Sequence, residues 1–88
     1  DYSLGGRAAL TKPKPDYICN EEGKVVVQVW VNRSGKVMRA EPGARGTTNT
    51  AACLLDKAKE AALKTKWQGD VKAEELQVGT IIYRFKQN

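Results

Sequence analysis

Histidine is absent from the sequence. That removes the commonest general base and the usual partner of a serine or cysteine nucleophile, so hydrolysis and acyl transfer lose their ordinary tools. Long apolar runs are missing too: none approaches the ~18 residues needed to span a bilayer, and the first residues show neither an initiator methionine nor a signal-peptide core. Cysteine occurs only at Cys19 and Cys53. Two thiols without an imidazole cannot complete the usual four-ligand zinc set, so no metal is expected. The remaining candidates for chemistry are weak. Glu21-Glu22 and Glu74-Glu75 are adjacent carboxylates in expected loops, where neighbours point apart and read as solvated charge. Gly43 to Thr48 lies between a strand and a helix but lacks the full spacing of a phosphate-binding loop and reads as a plain turn. The expectation is a binding module with no cofactor, not an enzyme.

The sequence does contain enough apolar material for one small core. Its 88 residues are 41% hydrophobic and 28% charged, ordinary for a folded domain, and a core of this size buries about two-thirds of the unfolded surface. The net charge of +5 arises from basic residues spread from Arg7 to Lys86. Such a domain is attracted to any polyanion, and without a basic cluster no nucleic-acid partner is expected. The chain reads as excised from a longer protein. Asp1 to Thr11, followed by Lys12-Pro13-Lys14-Pro15, reads as the end of a linker, giving a lead-in over residues 1–14 and a domain over 15–88.

Hydrophobic periodicity then sets the element order. From Lys24 to Asn32, Val25, Val27, Val29 and Val31 share one face of a strand, opposite Val26, Gln28 and Trp30. Trp30 beside Val26 and Met38 reads as an aromatic packed under a linker or partner. Asn32-Arg33-Ser34-Gly35 carries hairpin residues, a second strand runs over 36–41, and Pro42-Gly43 stops it. A helix capped by Asn49 or Thr50 is predicted to reach Trp67, with Ala51, Leu55, Ala58 and Ala62 at helical spacing and Gly69 ending it in the left-handed conformation. The last strand begins near Gln77, with Ile81, Tyr83 and Phe85 on one face.

The predicted fold is therefore α+β: a two-layer β-β-α-β unit with a three-stranded antiparallel or mixed sheet, order 2-1-3, and one helix on one face. The outer backbone groups of the last strand are expected to stay unpaired. Cys19 and Cys53 fall at the same end of this topology. In an oxidising compartment a disulfide would be worth about 3 to 4 kcal/mol, whereas a reducing one would leave two free thiols.

These residues resemble the TonB C-terminal domain family from about Pro15 to Lys86. The resemblance is carried by Gly23-x-Val25 opening the valine strand, Asn32-x-x-Gly35-x-Val37 at the hairpin, an alanine-rich helix ending in basic residues and Trp67, and Tyr83-x-Phe85 in the last strand. Pro15-x-Tyr17 matches the family's Pro-x-Tyr-Pro opening, with Ile18 in place of the second proline. Lys66-Trp67-Gln68-Gly69 departs from the pattern, because the family places a proline after the aromatic.

The resemblance implies a periplasmic domain of an energy transducer, tethered to the inner membrane by an N-terminal helix beyond this sequence and working with a proton-driven motor complex. Its partner would be the TonB box of an outer-membrane receptor, added to the last strand to drive active nutrient uptake. The implied peptide-binding residues are Gly79, Thr80, Ile81, Ile82, Tyr83, Arg84, Phe85 and Lys86, with Pro15, Asp16 and Tyr17 beside the bound segment. Arg84 and Lys86 would favour an acidic box. The same edge would allow a homodimer. The rival expectation is a TonB-like ectodomain of an envelope sensor or signalling protein that binds another envelope partner.

Overall fold

The computed structural model describes residues 1–16 and 18–86. In chain order the elements are β1 (Tyr2–Ser3), β2 (Ala9–Thr11), β3 (Gly23–Val31), β4 (Val37–Pro42), α1 (Ala52–Leu63), β5 (Lys66–Trp67) and β6 (Gln77–Phe85). Among the described residues the architecture is α+β, with one helix, a four-stranded sheet ordered β1-β6-β3-β4 and a two-stranded sheet of β2 and β5. Every strand pair is antiparallel. The predicted order of the three long strands holds, but the predicted three-stranded sheet does not, because β1 adds a fourth strand.

The valine alternation acts as its period requires. Val25, Val27, Val29 and Val31 are fully buried, and each such side chain contributes about 1.5–3 kcal/mol relative to exposure. Ile81, Tyr83, Phe85 and Ala40 extend that layer, and Leu54, Ala58, Ala61 and Ala62 of α1 pack into the same core. Small alanine side chains let the helix lie close to the sheet.

At Pro42 the β3–β4 ladder meets a residue with no amide proton. Beyond it the connection to α1 takes over: Val26 N–H donates to Thr47 Oγ1 at 3.0 Å and Lys24 N–H to Thr48 Oγ1 at 2.8 Å. Ala44 N–H and Thr48 N–H return bonds to the Val26 and Lys24 carbonyls. The Gly43 to Thr48 turn thus commits these groups to completing the sheet.

The helix is shorter than its composition suggests. It ends at Leu63, with Lys64 as C-cap, and Thr65 Oγ1 donates back to the Ala61 carbonyl at 3.0 Å. Trp67 lies in β5, buried, with its N–H donating to the Gly35 carbonyl at 2.9 Å. Gly35 is required there: its φ is +96°, and a Cβ would collide with the Trp67 carbonyl. The N-cap is Ala51, not Asn49 or Thr50, although Asn49 Oδ1 accepts from the Ala51 amide at 2.9 Å. Gly69 lies beyond β5, not at the helix end, and is not among the glycines of positive φ.

The stretch expected to end a linker is folded. Leu4 is buried in the core and Arg7 is 7% exposed. Arg7 Nε and Nη2 donate to the Gln68 and Asn32 carbonyls, both at 2.8 Å, and Nη1 to Gln77 Oε1 at 3.2 Å. A planar guanidinium suits this divergent set of acceptors, and its charge strengthens each bond. Lys12 to Pro15 consequently lies in an internal connection between β2 and β3.

Cys19 and Cys53 form a disulfide, with Cα atoms 5.5 Å apart and a sequence separation of 34. It ties the connection before β3 to the first turn of α1. Replacing both residues by serine is expected to lower unfolding stability by about 3 kcal/mol in denaturant titrations. A loss within experimental error would show that the crosslink carries no stabilising constraint.

Candidate functional site

The site is built on the outer border of β6. Antiparallel pairing places Phe85, Tyr83, Ile81, Gly79 and Gln77 opposite Gly23, Val25, Val27, Val29 and Val31 of β3. The Lys24 and Val26 backbones are directed toward the β4 side, so the odd-numbered residues of β3 and β6 bond each other. Thr80, Ile82 and Arg84 therefore direct their N–H and C=O groups away from β3.

That border carries a strand of the chain itself. Tyr2 lies opposite Ile81 and Ser3 opposite Thr80, and the Ile82 N–H donates to the Asp1 carbonyl at 2.8 Å while the Asp1 nitrogen donates to the Ile82 carbonyl at 3.1 Å. The expected open edge is thus closed from Thr80 to Ile82. Arg84 lies past the last paired position, and its Nη2 meets Asp1 Oδ2 at 3.1 Å, both side chains more than half exposed.

Side chains divide by face. Ile81, Tyr83 and Phe85 are core residues, while Thr80 and Ile82 are half-buried and Arg84 and Lys86 exposed. The Tyr2 ring joins the core face, edge-on to Trp67 at 6.1 Å and to Tyr83 at 6.3 Å between centroids. Such pairs contribute about 0.5–1.5 kcal/mol beyond area burial. Lys12 Nζ lies 5.4 Å from the Tyr2 ring centroid. Gly79 is needed because an added methyl would press on the Ser3 carbonyl and the Leu4 side chain.

Pro15 and Asp16 lie elsewhere. With Pro13 and Lys14 they face Lys57, Glu60 and Ala61 of α1 and its C-cap Lys64 across a groove of about 130 Å³, which no β6 residue lines. Tyr17 falls outside the described residues. On the sheet face away from the helix, the Arg39 guanidinium covers the Trp30 ring at 4.4 Å and bonds Glu41 Oε1 at 3.0 Å, so this chain's own arginine occupies one face of the indole.

Asp1, Tyr2 and Ser3 went unread as site residues, as did the anchors Leu4 and Arg7. Their signal is slight: Tyr2 and Leu4 alternate with Ser3 at strand period, over too few positions to stand out before Gly5-Gly6. No known protein family matches the chain, and neither does any curated protein or solved structure.

Burial raises the Tyr83 phenol pKa above its ordinary value and, more mildly, that of Tyr2. Among the described residues the Tyr83 hydroxyl has no hydrogen-bond partner at bonding geometry, with Thr65 and Tyr2 as polar neighbours. A raised pKa means the folded state holds its proton after the unfolded state has released it. The stability tied to Tyr83 is complete below the unfolded phenol's pKa of about 10 and is lost as pH climbs beyond it. Tyr83→Phe is expected to leave stability at neutral pH unchanged or raised by up to about 1 kcal/mol, and to flatten the alkaline decline relative to the parent chain. An equally steep decline in both proteins would assign the slope to other groups.

Proposed function

We propose that this chain is the periplasmic domain of a TonB-type energy transducer, which binds an extended segment of an outer-membrane receptor by strand addition along β6. The carrying observation is that this border already holds an added antiparallel strand, Tyr2 opposite Ile81 and Ser3 opposite Thr80. Strand addition draws affinity from main-chain hydrogen bonds and leaves selectivity to side chains at the border. Arg84 supports an acidic partner because it already engages a carboxylate there. The disulfide supports an oxidising compartment, as the periplasm is.

In this mechanism the receptor segment takes the place of β1, and the bonds it shares with β6 bear the pull exerted by the motor complex. Because Asp1 to Thr11 is folded onto the domain, tension from a preceding tether reaches β1 first and not the Lys12 to Pro15 connection. Tension along that path favours release of β1. Cargo uptake follows from disturbance of the receptor that the bound segment belongs to.

Titrating the isotopically labelled chain with a peptide from a receptor's N-terminal segment tests the proposal. Amide shifts are expected from Gly79 to Lys86, with a second set over Tyr2 to Leu4 as β1 leaves. Shifts confined to the Gly43 to Thr48 turn would overturn the assignment.

A further inference from the structure

Each position of β1 meets a distinct chemical surface on β6. Asp1 directs its carboxylate to Arg84. Tyr2 enters the core face between Trp67 and Tyr83, whose rings present their edges or faces to it. Ser3 points to the opposite face beside Thr80 and is exposed, while an added methyl at Gly79 would meet the Ser3 carbonyl and the Leu4 side chain. Along β6 these are a cationic position, an aromatic slot and an open position beside Thr80.

The strand is held unequally along its length. Leu4 and Arg7 are buried, and Arg7 has carbonyl or amide acceptors on three separate segments. Asp1 and Ser3 are exposed, and the Asp1–Arg84 ion pair is open to solvent, where such pairs are weak. Gly5 and Gly6 form the turn between the two anchors, closed by the Arg7 N–H donating to the Leu4 carbonyl at 2.8 Å. Residues 1–3, ahead of the buried Leu4, can therefore lift away from β6 while Leu4 and Arg7 stay in place.

We propose that Asp1-Tyr2-Ser3 is a built-in stand-in for the partner, and that the β6 border selects extended segments with an acidic residue followed by an aromatic one, admitting them when β1 lifts away. This rests on the strand-addition reading above and specifies its ligand. The acidic residue pairs with Arg84, and the aromatic fills the slot beside Trp67 and Tyr83. The selected class follows from the occupied site, because a competitor must replace the same two side-chain contacts at once. An acidic segment without the aromatic leaves the slot unfilled and binds more weakly.

The test uses the whole chain with synthetic peptides carrying Asp-Tyr-Ser, Lys-Tyr-Ser or Asp-Ala-Ser between threonines. Tyr2→Ala removes the resident ring, and Ser3→Pro, which removes a ladder donor and leaves the aromatic cluster intact, serves if the first variant folds poorly. Either variant is expected to bind the Asp-Tyr-Ser peptide about tenfold more tightly than the parent chain does, with amide shifts at Thr80, Ile82 and Arg84. The other two peptides are expected to bind about fivefold or more weakly, and Arg84→Asp to reverse the Asp-over-Lys preference. Equal affinity for all three peptides, or no gain on weakening β1, would overturn this inference. A receptor segment that lacks an aromatic and binds along β6 with β1 still docked would overturn it while leaving strand addition intact. Failure of every extended peptide to bind either weakened variant would overturn both.

Discussion

A nine-residue strand paired on one side presents a row of unmet hydrogen bonds on the other, and the organisation of this domain follows from how that row is met. β6 cannot turn its outward amides to the core, which is filled by valines, alanines and rings on the helix side. The chain instead returns its first residues to the border and pairs them from Thr80 to Ile82. A short strand satisfies the most central of these groups and leaves Arg84 free to reach a carboxylate beside the ladder.

The way the first residues are fastened separates stability from exchange. Leu4 extends the core, and Arg7 joins the turn after β3, the residue after β5 and the start of β6 through its three acceptors. Removing that guanidinium would leave carbonyls from separate segments without their shared donor, a structural loss remote from the border itself. Asp1 to Ser3, by contrast, lie ahead of Leu4, with Asp1 and Ser3 exposed. The disulfide works at a different place, holding the connection before β3 against α1, so opening of β1 need not loosen the helix.

The long elements were legible because their periods are unambiguous. Four alternate valines, a hairpin of turn residues ending in Gly35, and alanines at helical spacing leave little room for another arrangement. The helix end was not legible: Leu63, Lys64 and Lys66 continue a helical composition, and only the docking of Trp67 against the hairpin carbonyl decides the break. The fourth strand was hidden for the same reason, since a two-residue strand has no period to read and its anchors lie on both sides of glycines. At the candidate site, β6 and the cationic character of Arg84 were readable, whereas its occupant was not. Pro15 and Asp16 followed from resemblance and lie along α1, away from that border.

The central claim is that β1 leaves β6 by a local opening that spares the rest of the sheet. Amide hydrogen exchange in the native state measures this directly, because Ile82 bonds outward to Asp1 while Tyr83, its neighbour, bonds inward to β3. The account predicts that Ile82 exchanges much faster than Tyr83, with little dependence on denaturant, as expected for an opening that exposes little surface. Matching rates with the steep denaturant dependence of global unfolding would mean that the border opens only when the whole domain unfolds, and would contradict it.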